Sequence, residues 1–188
     1  MLQPGVETRR LLQKLIRETG RAEVQALEHP AREGKRLGET PPVRALAAVA
    51  EHATEMQARF TTLLEGHELA GQNTSGIGTT LATLRHLVVD RVVDPERSFR
   101  TALLDLRHGI EVVKLLREIT RREMLFGLIR WCDDWLGARR TLVARVEAQL
   151  SWFAEQELLA ALPASVEDLE DDFEPISSST PPDQRDHY

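Results

Sequence analysis

The sequence predicts an all-α protein: an antiparallel four-helix bundle with an additional N-terminal helix and a disordered acidic C-terminal tail. Apolar residues recur at intervals of three and four from about residue 41 to residue 159, which is the spacing of one face of a helix. At 188 residues the chain is long enough to bury a core without disulfides or metals to stabilise it. Residues that carry catalytic chemistry are sparse in the same stretch.

The N-terminal part is predicted to form a helix from about Val6 to Glu28, with Leu12 and Leu15 near one face. Residues 29–40 contain proline, glycine and mixed charge without an apolar pattern, which is typical of a linker. The predicted division of the chain is an N-terminal helix at 1–28, a linker at 29–40, a helical bundle at 41–162 and a disordered acidic tail at 163–188.

The bundle is predicted to begin at Pro41 and to continue, after a polar turn at 71–78, in a second helix that ends near Val92. Asp94 and Pro95 then stand in the order of an N-cap and a first-turn proline, so that a new helix starts there. Two interpretations of Pro95 remain open, a reversal of the chain or one long helix kinked at proline. We favour the reversal because it gives four helices that share a compact core.

The helix from 95 to about 123 carries apolar residues on two sides, which is typical of a helix buried by neighbours on both. One stripe consists of Phe99, Leu103, Leu106, Ile110 and Val113, and the other of Leu104, Val112, Leu115 and Ile119. Arg100, Arg107, Lys114 and Arg121 recur every seven residues along it, and acids three or four residues away predict a solvated, salt-bridged face. The last helix is predicted from about 125 to 159.

Charge and composition restrict the partners. Residues 163–188 hold eight acids and one base, a net charge of −7, so that the remainder of this chain of net charge −6 is close to neutral. We therefore expect no nucleic acid as partner, because phosphate binding needs a concentrated basic surplus. No apolar run has the length of about 18 residues that a membrane span needs, and the N-terminus lacks a signal-peptide pattern, so we expect no membrane contact and a cytoplasmic location.

His108 and Glu111 are three residues apart on one helix, as metal ligands or an acid/base pair would be. In a compact bundle His52 and His86 lie at similar depth, each near an acid. A helical bundle with these side chains at mid-height resembles the ferritin-like superfamily. The resemblance covers about 41–159 and implies iron held by His108, Glu111, His52 and His86. Here the spacing is His-x-x-Glu where that family has Glu-x-x-His, and the other interpretation of His108 is a hydrogen-bonded interior or interface residue.

Two sets of residues are candidates for binding a partner protein. Trp131 and Trp152 lie towards the flanks of the last helix, where they either anchor a partner or close the edge of the bundle. Apolar residues in the tail are spaced by three and four among acids, which suits a segment that folds into a partner's groove, with a solubilising tail as the alternative. These tail residues are Val166, Leu169, Phe173 and Ile176.

The sequence predicts no catalytic residues, because Cys132 falls on the core stripe of its helix and no nucleophile motif is present. The expected function is a non-enzymatic interaction or scaffold module without a cofactor, which binds another protein or itself through bundle faces or through the tail. The alternative is a ferritin-like iron-binding or oxidoreductase protein centred on His108 and Glu111.

Overall fold

The computed structural model describes residues 4–66 and 94–156 of the chain. All regular structure in these two stretches is helical, which confirms the all-α prediction. The helices are α1 (Pro4–Leu37), α2 (Pro41–Gly66), α3 (Pro95–Arg122), α4 (Phe126–Ala148) and the short α5 (Leu150–Glu155). None of the helices in these two stretches combines the length and the apolar character needed to span a bilayer.

The four long helices form an antiparallel ring in the order α1, α2, α4, α3. In this ring α1 packs against α2 and α3, and α4 packs against the same two helices. Consequently α1 and α4 face each other diagonally across the core. The N-terminal helix, which the sequence suggested as an addition to the bundle, is thus one of the four helices of the ring.

The interpretation of residues 29–40 as a linker is wrong for most of that segment, because α1 continues to Leu37. This end of the helix packs against the bundle through a polar face. His29 and Glu33, four residues apart on that face, are 1% and 0% exposed. An apolar pattern could not reveal such a face. The helix ends at Leu37, and the amide of the next residue, Gly38, still donates to the carbonyl of Gly34 at 2.9 Å. The φ of 63° at Gly38, which glycine adopts without strain, turns the chain that follows out of the helix.

The start of α3 agrees with the sequence. Asp94 is the N-cap, and its Oδ1 accepts a hydrogen bond from the amide of Glu96 at 2.9 Å, with Pro95 in the first turn. Residues 67–93 lie outside the described residues. The predicted helix that ends near Val92, and the predicted reversal of the chain before Pro95, fall in this segment.

The two apolar stripes predicted on α3 differ in how far they are buried. The stripe from Phe99 to Val113 is buried throughout. The other stripe is divided: Val112 and Ile119 are buried, whereas Leu104 and Leu115 are 61% and 47% exposed. Only one side of α3 is therefore fully covered by the neighbouring helices that the structure describes.

The last helix, predicted from about 125 to 159, is broken in the structure. The helix α4 stops at Ala148, and α5 follows directly, with the Phe153 ring 5.1 Å from that of Phe99 at the start of α3. At the opposite end of the bundle, the turn from α3 to α4 contains Met124 with a φ of 54°, a left-handed conformation that is costly for a side chain with a Cβ.

Candidate functional site

The pair His108 and Glu111 lies on the outer surface of α3. The His108 side chain is exposed, and the Glu111 carboxylate, 67% exposed, accepts a hydrogen bond from Lys114 Nζ at 2.6 Å. The interpretation of His108 as an interior residue of this bundle is therefore wrong. Its position between Leu104 and Leu115 is nevertheless the predicted one, because all three side chains share the face that the neighbouring helices leave open.

The other two predicted metal ligands do not join this pair in the part of the chain that the structure describes. His52 lies on α2 with its ring 6.3 Å from that of Trp135, and His86 lies outside the described residues. Burial, together with the charges of Arg139 and Arg59, lowers the pKa of His52 to about 4, so its imidazole is neutral at pH 7. Among residues 4–66 and 94–156, no group of three or more His, Cys, Asp or Glu side chains is placed to hold a metal ion.

The two tryptophans proposed as partner anchors have structural contacts. Trp131 is 1% exposed, its Nε1 donates to the carbonyl of Met56 at 3.0 Å, and its ring lies 4.4 Å from that of Phe60. It is a core residue, since its indole is already fully packed. Trp152 is half-buried and makes an edge contact with Phe153 at 5.1 Å, which fits the closing of the bundle edge.

The centre of the bundle holds a buried ion pair between diagonally opposed helices. Glu23 of α1 and Arg139 of α4 are each 1% exposed, and Arg139 Nη2 lies 2.8 Å from both carboxylate oxygens. Trp135 Nε1 donates to Glu23 Oε1 at 3.0 Å, and the guanidinium of Arg139 lies 4.6 Å from the centre of the Trp135 ring. The carboxylate thus accepts three hydrogen bonds, and the cation also rests on an aromatic face.

Burial acts on the two partners in opposite senses. It raises the pKa of Glu23 and lowers the pKa of Arg139, while the attraction between the charges opposes both shifts. Each partner therefore favours the charged form of the other against the cost of burial. This mutual dependence makes the pair a register element that fixes α1 against α4 across the core.

A second buried polar cluster joins α1 to α3. The Oε1 of Glu33 accepts hydrogen bonds from Ser98 Oγ at 2.7 Å and from Arg32 Nε at 3.3 Å. Arg32 Nη2 lies 2.8 Å from His29 Nδ1, so Nδ1 is the acceptor and the proton of the neutral ring is on Nε2. That nitrogen faces Asp105 Oδ2 at 3.8 Å.

The surroundings of His29 keep its imidazole neutral. Burial, with the nearby Arg32 cation, lowers the pKa of His29 to about 3. Burial also raises the pKa of Asp105, although Arg32 and His108 act in the opposite direction. At neutral pH the imidazole is therefore uncharged, and the hydrogen bond from Ser98 to Glu33 links α3 to α1.

Neither cluster presents a nucleophile to solvent, because the Ser98 hydroxyl is buried. The one thiol, Cys132, lies outside both clusters. Burial raises the pKa of the Cys132 thiol to about 12, with a contribution from Asp133, so it stays protonated. One feature of the sequence could have indicated the buried pair: an acid and an arginine each occupy the inward face of their helices. Glu23 follows Leu15 and Thr19 on α1, and Arg139 follows Trp135 on α4.

The exposed side of α3 carries a continuous stripe, here called the α3 stripe. Leu104, His108, Glu111 and Leu115 are spaced by four, three and four residues, the spacing of one seam in a coiled coil. One edge of it, here called the basic edge, consists of Arg100, Arg107, Lys114 and Arg121.

The four cations of the basic edge remain accessible from solvent. Their side chains are 43% to 55% exposed, and each is paired with a single exposed or half-buried acid, such as Glu147 of α4 for Arg107 at 2.6 Å. The predicted salt-bridged face is confirmed in this respect. Over residues 95–122 seven basic residues stand against four acids, so that α3 has a net charge of +3.

Comparisons with known protein families, with characterised proteins and with solved structures give no match for this chain. The resemblance to ferritin-like proteins therefore stays a prediction.

Proposed function

We propose that this protein is a non-enzymatic interaction module that binds one acidic amphipathic helix along the α3 stripe. The observation that carries the proposal is the exposure of Leu104 and Leu115, 61% and 47%, on the outer side of a helix that is otherwise packed on its inner side. Large apolar side chains in register along one helix face, with charged residues beside them, are typical of helix-binding surfaces.

The size of the apolar contribution follows from the exposed leucines. Fully burying one leucine side chain contributes about 1.5–3 kcal/mol. The exposed surfaces of Leu104 and Leu115 together equal about that of one fully exposed leucine. A partner that covers both would gain about 2–3 kcal/mol from them. This gain is modest, so the basic edge has to supply part of the affinity and most of the orientation.

The basic edge selects an acidic partner over a second copy of the chain. Two copies paired antiparallel through the α3 stripe would bring Leu104 opposite Leu115, and would also bring Arg107 of one copy near Lys114 of the other. Like charges along the edge of a helix pair oppose association. A partner helix with acids beside its apolar face avoids this repulsion, and its acids replace the exposed or half-buried acids that now pair with the basic edge.

The location proposed for this activity is the cytoplasm. In support, the single cysteine of the chain, Cys132, is a buried free thiol in the fold. Chains that fold in oxidising compartments more often carry paired cysteines.

The test uses a defined probe. A fluorescein-labelled peptide of about three heptads, with leucine at the a and d positions and glutamate at the flanking positions, is titrated with the full chain, and its anisotropy is measured. We expect the double variant Leu104→Ala/Leu115→Ala to weaken binding by about 30- to 150-fold, which corresponds to about 2–3 kcal/mol. Phe126→Ala removes a side chain of similar exposure, 69%, outside the stripe and is the matched control.

A second peptide with lysine in place of glutamate tests the charge preference. We expect it to bind more weakly than the acidic peptide, and we expect the difference to shrink at high salt, because the charges on the basic edge are solvent-exposed. Equal binding of the acidic peptide to wild type and to the double leucine variant, or no binding of it to any form of the chain, overturns the proposal.

A further inference from the structure

The C-terminal residues 163–188 lie beyond the described part of the chain, and their sequence complements the α3 stripe. They have a net charge of −7, against +3 for residues 95–122. Val166, Leu169 and Phe173 follow one another at intervals of three and four. Leu169 and Phe173 each have an acid on both sides, and Val166 is followed by Glu167. In a helix these three residues share one face, and the acids flank it.

The described fold ends at a place from which this segment reaches α3. The last described helix, α5, contacts the start of α3 through Phe153 and Phe99, whose rings are 5.1 Å apart. Leu104 lies five residues after Phe99, about 7.5 Å along the helix axis. Val166 follows Gln156 by ten positions, and an extended chain over ten positions spans up to about 33 Å.

The lengths of the two faces also agree. From Leu104 to Leu115 the α3 stripe extends about 16 Å, at 1.5 Å per residue. The segment from Val166 to Glu174 would extend about 12 Å as a helix, and Pro175 then ends it. A helix formed by this segment therefore fits on the stripe between its two leucines.

We propose that residues 163–176 of this chain bind its own α3 stripe, so that the tail competes with the external partner for one surface. The inference rests on the proposed function, because it names a regulator of the same site. The tail is a better occupant than the apolar segment at 77–93, which carries two arginines and a single aspartate and so lacks the acidic complement to the basic edge.

The first test is disulfide trapping in the full chain. Leu104→Cys is combined with Leu169→Cys, and the reaction is followed on non-reducing gels under mild oxidation. Thr54→Cys, at an exposed position of α2 on the diagonally opposite side of the bundle, is combined with Leu169→Cys as the matched control. Cys132 does not interfere, because its thiol is buried.

We expect a monomeric cross-linked species that forms at least tenfold faster in the Leu104→Cys pair than in the Thr54→Cys pair. Equal rates in the two pairs overturn the inference, because a tail without a preferred position reaches both sites. A disulfide-linked dimer as the main product of the Leu104→Cys pair also overturns it, because the tail then binds a second copy.

The second test separates this inference from the proposed function. The double variant Leu169→Asp/Phe173→Asp is titrated against the acidic heptad peptide described above. We expect its affinity for that peptide to exceed that of wild type at least tenfold, since a tethered competitor has been removed. Equal affinity of both forms, with binding still lost in Leu104→Ala/Leu115→Ala, overturns the tail inference alone. Absence of binding in both forms overturns the proposed function.

Discussion

The buried pair of Glu23 and Arg139 predicts an unusual order of stabilities among three variants. Removing one partner of a buried ion pair costs about 3–5 kcal/mol, because an uncompensated charge stays in the core. Replacing both partners by apolar residues removes that penalty. We therefore expect the double variant Glu23→Leu/Arg139→Met to be more stable than Glu23→Leu alone, although it has lost more native contacts.

The two single variants are expected to differ because their orphaned groups differ in how easily they lose charge. In Arg139→Met the Glu23 carboxyl takes up a proton. Protonating a carboxyl with an ordinary pKa of about 4.3 at pH 7 costs about 3.7 kcal/mol, so the penalty for the orphaned Glu23 is at most that. In Glu23→Leu the Arg139 guanidinium holds its proton to far higher pH, and Trp135 Nε1 also loses its acceptor. Glu23→Leu is therefore the more destabilised of the two.

The pH dependence of Arg139→Met has a definite sign. Burial raises the pKa of Glu23 in the folded state, and removal of Arg139 takes away the charge that opposes this shift. A raised folded pKa means that stability is greatest below the unfolded value and falls as the pH rises. The destabilisation of Arg139→Met relative to wild type should therefore shrink as the pH is lowered from 7 towards 5.

The assay is urea unfolding followed by tryptophan fluorescence, with linear extrapolation to water and far-UV circular dichroism as the second probe. We expect a coupling energy between the two substitutions of at least about 2 kcal/mol. If Glu23→Leu does not fold, a folded double variant still shows that the double variant is the more stable of the two. Additive losses, with the double variant least stable, would refute the argument that the pair acts as a unit.

Three further predictions concern local features of the fold. His29, whose pKa burial lowers to about 3, contributes stability that is complete above about pH 6.5 and is lost as the pH falls, so between pH 7 and 5 wild type should lose about 2 kcal/mol more than His29→Gln in urea unfolding. Gly137→Ala, with no atom within 4 Å of the new Cβ, should gain about 0.5–1 kcal/mol, whereas Gly109→Ala, whose Cβ meets Ala22 at 3.3 Å, should gain less or lose stability. Met124→Gly should raise the melting temperature, because glycine adopts a φ of 54° without strain.

Each of these predictions has an outcome that contradicts it. A parallel pH profile of wild type and His29→Gln would show that the imidazole titrates alike in folded and unfolded chains. Equal gains at the two glycine positions would mean that α1 and α3 do not approach closely at Gly109. A lower melting temperature for Met124→Gly would indicate that the methionine side chain, 66% exposed, makes a stabilising contact in the turn.

The apolar pattern predicted the helices of the bundle where side chains on one face are apolar, as from Phe99 to Val113 on α3. It failed at residues 29–37, because the buried face there is polar and its partners, Ser98 and Asp105, lie on another helix. No local pattern contains that information, since the hydrogen bond from Ser98 to Glu33 joins residues 65 positions apart. The stripe of Leu104 and Leu115 was visible in the sequence, but its exposure depends on which helices surround α3.

The polar interior and the exposed stripe meet on α3. A bundle held by apolar side chains alone tolerates shifts of one helix along another, because many offsets bury similar areas. In this chain such a shift would separate Glu33 from Ser98 on α3, and would leave a buried carboxylate without its hydroxyl donor. The hydrogen bond that fixes α3 against α1 therefore also fixes the direction and height at which Leu104 and Leu115 face solvent. A surface that binds through two leucines and a row of cations needs this definition, since a rotation of α3 by one residue would turn the leucines away from the partner.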